Sequence, residues 1–425
     1  MSANVSAEEQ RTNWAGNLVY STERFVAPQT VEQAQEVVRG EDKIRVLGSR
    51  HCFNDIADTI GTHLSLERFN RVLSLDRAKR QVTVEGGIRY GELGPYLHQQ
   101  GYALHNMASL PHISVAGACA TATHGSGELG NLAVAVAAIE FIDGRGDLVT
   151  LSREEDGDIF TGAVVNLGAL GAVTKLTLDL QPAFDVRQDV FCELPLAALG
   201  AHFDEIMSIG YSVSLFTTWQ SDTIDQVWVK STVEPKGAFT AGEILHGARP
   251  AAENLHPIAS LDATCCTEQM GIAGPAYDRL PHFRMGFTPS SGDELQAEYF
   301  VPREYASPAI RALRSHRDRL ASLLLVSEIR TIAADDLWMS PCYRTPCVAF
   351  HFTFRRDWPA LKMLLPAIEE ALAPFHPRPH WGKMFTMAPE KIQARYPRLA
   401  DFRELLNTHD STGKFRNGFI EHNIL

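Results

Sequence analysis

Hydrophobic and polar residues follow two periods along the chain, and each period predicts a different kind of element. Apolar side chains recur at helical spacing in Thr30–Gly40, Tyr90–Gly101 and Trp358–Leu372. Shorter apolar or alternating runs predict strands at Lys43–Leu47, Leu64–Leu66, Val72–Leu75, Gln81–Glu85, Leu132–Ile142, the second half of Leu167–Leu178, Val213–Trp219 and Gln226–Lys230. Neighbouring strands flanked by helices predict an α+β fold rather than a doubly wound parallel sheet.

Two further strands, Val326–Ile332 and Cys347–Phe354, place polar side chains together. Side chains of a strand alternate between its two faces, so residues two apart share a face. If the strands pair, one face presents an acid, a guanidinium, an imidazole and a hydroxyl. These four residues are Glu328, Arg330, His351 and Thr353.

The opposite face of Cys347–Phe354 is wholly apolar and predicts a floor beneath the helix Trp358–Leu372. Burying the polar face is costly unless each group finds a partner. A sheet open to water explains that face, and so does a polyol with a hydroxyl on every carbon. Both interpretations stay open on the pattern alone.

Composition narrows the class of protein. The 425 residues exceed one ordinary domain and predict two or three. A net charge of −12 argues against a nucleic-acid partner. Met1–Asn17 is polar and lacks an export signal, and no apolar run reaches the roughly 18–20 residues that cross a bilayer. We therefore expect no membrane partner.

The seven cysteines are odd in number and show no C-x-x-C pair. This pattern favours free thiols in a reducing cytoplasm over a disulfide framework. The histidines include no H-E-x-x-H motif, so we expect no metal site.

Two loops rich in small and hydroxyl residues carry the candidate cofactor chemistry, Arg45–Asn54 and Ser114–Gly127. Glycine lets backbone N–H groups approach a pyrophosphate closely. Neither loop is a P-loop or a G-x-G-x-x-G turn. His51 is either a polar residue of a surface turn or a residue facing a dinucleotide, and the second loop could also be a packing strand.

Residues Gly48–Asn54 and Ala120–Gly127 together resemble the flavin-binding domain of the vanillyl-alcohol oxidase family. Within that family the chain is most similar to the alditol (xylitol) oxidases, which are related to the aldonolactone oxidases. Further matching motifs are Asn106–Pro111, Leu167–Gly171, Ser327–Arg330 and His380–Lys383. The resemblance implies a two-subdomain FAD-binding domain and a substrate domain with a large mixed or antiparallel sheet covered by helices.

The resemblance also implies which residues bind FAD. His51 matches the histidine covalently attached to the 8α-methyl of the flavin, Ser109 lies over the isoalloxazine, and His380 lies near the ring. The residues matching the loops around pyrophosphate, ribose and adenine are Gly48, Ser49, Arg50, Ser114, Gly117, Thr121, Ala122, Thr123, His124 and Val173. Cys52 replaces a common serine and Ala122 a common glycine; we expect both to be tolerated.

For the substrate, the family pattern implies a pocket that contains all four polar-face residues derived above. Its residues are Ser109, Gln296, Glu328, Arg330, His351, Thr353 and Lys383. The implied reaction transfers a hydride from C1 of a linear polyol to flavin N5, and O₂ then reoxidises the flavin to give H₂O₂. Arg330 and Lys383 stabilise the C1 oxygen, and His351 is the candidate proton acceptor.

Two rival functions stay open. An aldonolactone oxidase or dehydrogenase of the same fold shares the Ser327–Arg330 and His380–Lys383 motifs. A non-catalytic flavin- or sugar-binding protein would bind the same ligands without turnover.

The positions of the motifs predict three segments. Residues 1–183 form the FAD-binding domain, residues 184–375 form the substrate domain, and residues 376–425 return to the FAD-binding domain. The stretch 235–277 has no assigned role. We expect a monomer.

Overall fold

A computed structural model describes residues 11–233 and 245–425 of the chain. In chain order its strands are β1 (Arg24–Val26), β2 (Ile44–Leu47), β3 (Thr62–Ser65), β4 (Val72–Asp76), β5 (Gln81–Glu85), β6 (Tyr102–Ala103), β7 (Val136–Ile142), β8 (Leu148–Ser152), β9 (Ala172–Asp179), β10 (Gln181–Pro182), β11 (Asp185–Pro195), β12 (Ser212–Thr217), β13 (Thr223–Thr232), β14 (Arg249–Pro250), β15 (Gly274–Pro275), β16 (Glu294–Pro302), β17 (Leu324–Ile332), β18 (Cys347–Arg355) and β19 (Arg378–Pro379).

Helices lie between and around these strands. In chain order they are α1 (Val31–Gly40), α2 (Tyr90–Gln99), α3 (Val115–Ala120), α4 (Arg153–Val164), α5 (Leu196–Ala201), α6 (Phe203–Met207), α7 (Ala276–Arg279), α8 (Ala306–Ser315), α9 (Arg317–Leu320), α10 (Trp358–Leu372), α11 (Pro389–Gln393), α12 (Leu399–His409) and α13 (Gly418–Asn423). Within the two described ranges, no helix is both long and apolar enough to cross a membrane.

The first half of the chain forms two small sheets and a two-stranded antiparallel pair, β6-β10. In one, the order is β1-β3-β2, and all pairs are parallel. In the other, the order is β4-β5-β9-β7-β8, and all pairs are antiparallel. The loop after β2 and the start of α3 project from this unit, which places the two Gly- and Ser-rich loops together.

A large antiparallel sheet dominates the second half, in the order β14-β11-β13-β12-β17-β18-β16-β19, with β15 beside β11. One face is apolar because alternate residues such as Ile329, Phe350 and Phe352 point to the same side. These side chains join one cluster with Leu361 and Leu365 of α10. The predicted helix-covered floor is therefore present, and the α+β prediction is confirmed.

One predicted strand begins later than its hydrophobic pattern suggested. Residues Leu132–Ala135 form a short 3₁₀ turn, and the strand starts at Val136. The Asn131 side chain accepts the N–H of Ala133 at 2.9 Å, which caps that turn. A local polar cap thus overrides a continuous apolar run.

The predicted segment boundaries stay predictions, but three features bear on them. The large sheet begins with Asp185, two residues after the first predicted boundary. Trp381 and Phe402, from the C-terminal segment, lie in the same apolar cluster as Val82 and Phe160. Of the unassigned stretch 235–277, residues 235–244 lie outside the described residues.

Candidate active site

The two small-residue loops meet at Gly48 and Ser114. The backbone N–H of Ser114 donates to the Ser49 hydroxyl at 3.3 Å. A Cβ placed on Gly48 would lie 2.8 Å from the Ser114 hydroxyl oxygen, and one on Gly117 would lie 2.9 Å from it. Glycine at both positions therefore keeps the space between the loops open.

Two neighbouring cavities open along these loops, one of about 210 Å³ and one of about 280 Å³. They share lining residues, including Leu47, Gly48, Ser49, Gly117 and Gly168. The shared wall makes them two parts of one elongated site. Such a shape suits a dinucleotide, whose two halves are joined by a pyrophosphate.

The structure places nearly all of the predicted cofactor residues on these walls. The first cavity is lined by Gly48, Ser49, Arg50, His51, Ser109, Gly117, Thr121, Thr123, His124 and His380. The second is lined by Gly48, Ser49, Ser114, Gly117 and Val173. Ala122 lines neither cavity; it occupies a turn with φ +53°.

His51 faces the first cavity with one ring nitrogen unsatisfied. Its Nδ1 lies 2.9 Å from the Ser49 carbonyl oxygen, whereas its Nε2 is buried and finds no partner among the described residues. The Trp14 ring stacks on the imidazole, with centroids 5.2 Å apart and planes at 18°. Burial, followed by the neighbouring His112, lowers the pKa of His51 to about 4. The ring is therefore neutral at neutral pH and available as a nucleophile.

Hydrogen bonds to backbone carbonyls join the C-terminal segment to the loop Arg45–Asn54. The side-chain amide of Asn54 donates to the carbonyls of Trp381 and Lys383, each at 2.8 Å. The Phe53 N–H donates to the Gly382 carbonyl at 2.8 Å. These bonds bring a residue of the tail, Lys383, beside the loop that carries the candidate tether.

The polar face of the large sheet forms the other wall of the first cavity. Strands β17 and β18 pair antiparallel, with Glu328 opposite His351 and Val326 opposite Thr353. Strand β16 adds Gln296 opposite Thr353. The polar-face residues predicted from strand parity all line this cavity, together with the other predicted substrate residues: Ser109, Gln296, Glu328, Arg330, His351, Thr353 and Lys383.

At the centre of this wall is Glu298, a residue that the sequence analysis missed. One of its oxygens lies 2.9 Å from Arg330 Nη2 and 3.2 Å from His124 Nε2. The other oxygen lies 2.7 Å from Lys383 Nζ and 4.0 Å from His351 Nδ1. Glu298 is thus the shared counter-ion of Arg330 and Lys383.

Charge pairing decides the protonation states in this buried group. Burial opposes ionisation of Glu298, but the charges of Lys383, His124 and Arg330 hold its pKa well below the usual range. Burial lowers the pKa of Lys383, and Glu298 partly offsets that effect. Burial, followed by Lys383, holds the pKa of His351 well below its usual range, so its imidazole is neutral.

Hydrogen bonds fix the smaller polar side chains around these charges. Arg330 Nη1 donates to the Ser109 hydroxyl at 3.2 Å. His351 Nε2 lies 3.1 Å from Thr353 Oγ1, and its Nδ1 lies 2.7 Å from Lys383 Nζ. The site therefore presents donors and acceptors held in fixed positions, an arrangement suited to a ligand rich in hydroxyl groups.

Comparison with known proteins agrees with this geometry. The family profile of an FAD-binding domain matches residues 22–152, and the profile of D-arabinono-1,4-lactone oxidase matches residues 293–423. An alditol oxidase from Streptomyces sp. (strain IKD472 / FERM P-14339) is 46% identical over 96% of this chain and 97% of its own length. The chain belongs to the alditol oxidase family. The resemblance inferred from the motifs is confirmed, as is FAD as the cofactor.

Two more distant proteins are also similar to this chain. An L-gulono-1,4-lactone dehydrogenase from Mycobacterium tuberculosis (strain ATCC 25618 / H37Rv) is 29% identical, covering 96% of this chain and 97% of its own. The crystal structure of cholesterol oxidase from B. sterolicum has a TM-score of 0.77 at 14% identity, covering 97% of this chain and 96% of that one. At that identity the likeness shows the fold alone.

The cavities fit the cofactor of the alditol oxidase family. Two buried polar atoms on their walls, His51 Nε2 and Ser114 Oγ, have no partner among the described residues. A Cβ on Gly86 would lie 2.4 Å from the Val173 carbonyl oxygen, so the backbone there is as close as glycine allows. The loops would hold the pyrophosphate, and Val173 would lie beside the far half of the dinucleotide.

A separate cluster resembles a metal site, but its histidine has no free ring nitrogen. His256, Cys265 and Cys266 bring one ligand atom each within 4.8 Å of one another. Nδ1 of His256 accepts the N–H of Ile258 at 2.9 Å, so the proton of the neutral ring is on Nε2. Neither ring nitrogen then offers a free lone pair. The expectation of no metal site stays a prediction.

Proposed function

We propose that this protein oxidises the terminal C1 hydroxyl of alditols such as xylitol and sorbitol to the corresponding aldose. The observation that carries the proposal is the pairing of Arg330 and Lys383 on Glu298, in the same cavity that His51 lines. The near full-length similarity to an alditol oxidase supports the choice of substrate. Bound FAD supplies the two-electron oxidation, with O₂ as final acceptor and H₂O₂ as product.

In the proposed reaction, Arg330 and Lys383 donate hydrogen bonds to the C1 oxygen. As the hydroxyl proton leaves, negative charge grows on that oxygen, and two cations in a low-dielectric pocket stabilise it. Because both cations are already anchored on Glu298, little reorganisation is needed when charge develops. His351 is the proposed acceptor of the hydroxyl proton. Its ring is neutral, and its Nδ1 lone pair lies 2.7 Å from Lys383 Nζ, so it becomes free when Lys383 turns its hydrogen bond to the C1 oxygen.

The remaining polar residues bind the other hydroxyl groups of the polyol. Glu328, Gln296 and Thr353 would bind the hydroxyls on C2–C4, and Ser109 would hold the substrate against the cofactor. A deoxy analogue leaves a buried partner unsatisfied, which costs on the order of 1–3 kcal/mol per lost contact. The proposal thus predicts that xylitol is preferred over its 2-deoxy analogue by roughly 5- to 150-fold in kcat/KM.

Anaerobic flavin spectroscopy tests the substrate. Xylitol or sorbitol should bleach the flavin absorbance, and readmitted air should restore it with formation of H₂O₂. Lys383→Met should slow bleaching far more than it lowers FAD content, because Lys383 acts on the substrate oxygen. A normal bleaching rate in Lys383→Met, or equal loss of rate and FAD, would remove Lys383 from the reaction.

We also propose that FAD is covalently attached to His51. The support is the unsatisfied Nε2, the low pKa of the ring and its position on the cavity wall. Acid precipitation of the wild-type protein should leave the yellow colour in the pellet. His51→Ala should release it into the supernatant. Release from the wild-type protein would show that the attachment is non-covalent.

An aldonolactone oxidase or dehydrogenase is the second candidate. The D-arabinono-1,4-lactone oxidase profile covers residues 293–423, the range that contains Glu298, Glu328, Arg330, His351 and Lys383. Comparing xylitol with galactono- and gulonolactone separates the two. Faster bleaching by a lactone than by any alditol would favour this candidate.

We further propose that the protein acts as a monomer in the cytoplasm. Its seven cysteines are all free thiols, as a reducing compartment requires. Light scattering should give the monomer mass of 47.0 kDa. A dimer mass would contradict the proposed oligomeric state.

A further inference from the structure

A third buried cation, in addition to Arg330 and Lys383, lies behind the polar face. Lys230 projects from β13, and only 1% of its surface is exposed. Its ammonium group donates to the carbonyls of Leu280 and Pro281 and lies 3.1 Å from Nδ1 of His282. Three acceptors match the three donors of an ammonium group. Lys230 therefore fixes the segment that carries His282.

His282 connects this cation to the substrate wall. Its Nε2 lies 2.8 Å from Glu328 Oε1. Because Glu328 is ionised, its carboxylate can only accept, so Nε2 of His282 must carry the proton and Nδ1 keeps a lone pair for the Lys230 ammonium. His282 is therefore a hydrogen-bond donor to Glu328.

Burial and the neighbouring charges keep the His282 ring neutral. Burial, followed by the charge of Lys230, lowers the pKa of His282 to about 4, so the ring stays neutral. Burial lowers the pKa of Lys230 to about 7, and the nearby Glu328 opposes that effect while Arg330 adds to it, so the ammonium form predominates below pH 7. Cys266 is the remaining titratable group facing Lys230, and burial raises the pKa of its thiol, which stays neutral.

The two oxygens of Glu328 are used unequally. Oε1 receives the His282 hydrogen bond and lies 3.5 Å from Arg330 Nε. Among the described residues, no hydrogen bond or ion pair reaches Oε2, and Glu328 lines the first cavity. One oxygen is thus held by the protein, and the other is available to a ligand.

We propose that Lys230 and His282 are positioning residues that anchor Glu328 through Oε1 and so keep Oε2 free for a hydroxyl of the substrate. The inference rests on the proposed alditol oxidation, since the hydroxyl belongs to that substrate. Arg330 is the adjacent alternative partner for the Glu328 carboxylate. Without the His282 bond, Glu328 can rotate onto the Arg330 guanidinium as a two-oxygen pair. That pair would withdraw an acceptor from the polyol and a donor from its C1 oxygen.

Steady-state kinetics of the flavin-loaded protein test the role in substrate binding. His282→Phe and Lys230→Met should raise KM for xylitol on the order of 10- to 100-fold, with a smaller change in kcat. His282→Gln, which keeps an N–H donor near Nε2, should restore KM to within severalfold of wild type. If His282→Gln and His282→Phe have the same KM, the donated hydrogen bond is not what positions Glu328.

A matched control separates positioning from general loosening of the segment. The Thr267 hydroxyl donates to the Pro281 carbonyl at 2.7 Å, the same oxygen that Lys230 contacts. Thr267→Val removes that bond but leaves His282 and Glu328 in contact. KM should stay within about twofold of wild type, a difference of about 0.4 kcal/mol at most. A rise as large as that in Lys230→Met would overturn the proposal.

A double-mutant cycle identifies the group through which His282 acts. In a Glu328→Gln background, where the carboxylate is already lost, His282→Phe should change KM by less than about threefold. Multiplicative effects of the two substitutions would show that His282 acts independently of Glu328, contrary to the proposal.

Nitrogen-15 NMR of histidine-labelled protein provides a readout that needs no substrate. Wild-type His282, assigned by its absence in His282→Gln, should show the Nε2–H tautomer at neutral pH, because the Glu328 carboxylate can only accept. An Nδ1–H tautomer in the wild type overturns the proposal even if alditols are oxidised. The expected tautomers in a protein that fails to oxidise alditols would overturn the proposed function while supporting the anchoring of Glu328.

Discussion

Replacing Glu298 with glutamine removes the only negative charge in contact with both Arg330 and Lys383 at less than 3 Å in the described structure. The side chain keeps its shape but leaves two buried cations without their counter-ion. Breaking a buried ion pair by removing one partner costs about 3–5 kcal/mol. Measured against a typical folding stability of about 5–15 kcal/mol, Glu298→Gln should be folded but markedly less stable.

A second buried glutamate on the same strand is the matched control. Glu294 is as buried as Glu298, but its oxygens accept hydrogen bonds only from Ser291 and Gln296. Losing part of a carboxylate's hydrogen bonding to neutral donors costs about 1.5–3 kcal/mol. Urea unfolding followed by circular dichroism should therefore show a larger loss in Glu298→Gln than in Glu294→Gln. Equal losses would refute the counter-ion role.

The pH dependence of this difference provides an independent check. Because the folded protein holds the pKa of Glu298 well below its ordinary value of 4.5, the ionised carboxylate stabilises the fold above that pH. That contribution is lost as pH falls through the lower folded pKa. The stability gap between wild type and Glu298→Gln should be constant from pH 7 to 5 and should narrow below about 4.5. A gap that widens in acid would contradict the assigned charge.

Substitutions at three other positions test features of the cofactor-binding loops. Trp14→Leu removes the ring stacked on His51. It should lower the free energy of unfolding by about 0.5–1.5 kcal/mol and reduce the fraction of covalently bound FAD. Gly86→Ala would place a Cβ 2.4 Å from the Val173 carbonyl oxygen, and its FAD content after purification should fall well below that of wild type. Ala122→Gly should change stability by less than about 1 kcal/mol, because relief at φ +53° offsets the lost methyl contact, whereas Ala122→Val should be strongly destabilising, as measured by urea unfolding.

Strand parity predicts the polar face correctly because β17 and β18 each carry their full alternating pattern in the local sequence. Glu328 and Arg330 share a face because of period two alone, and the apolar alternation of Cys347–Phe354 is unusually regular. The same period would have linked Glu298 to Gln296 on Glu294–Pro302, but nothing local identifies that strand as the neighbour of β18. Its register is set by pairing across some fifty residues.

Other residues could not be found from local pattern. His282 lies outside any regular element, and its approach to Lys230 depends on the packing of a 50-residue excursion back onto β13. The 3₁₀ turn at Leu132–Ala135 was missed for the opposite reason, since one asparagine cap outweighed an apolar run. Sequence periodicity therefore predicted faces of elements well and failed where long-range packing or a single polar contact decides.

The fastening of the C-terminal segment has a consequence for the order of assembly during synthesis. The Asn54 side chain donates to the carbonyl of Lys383, and the N–H of Ile44 donates to the carbonyl of Lys414. The ribosome synthesises the loop Arg45–Asn54 more than three hundred residues before Lys383 and Lys414. Contacts of such long range form late in folding. The proposed covalent attachment of FAD should therefore follow synthesis of the C-terminal segment, and truncation before Lys414 should abolish it although both cofactor loops are present.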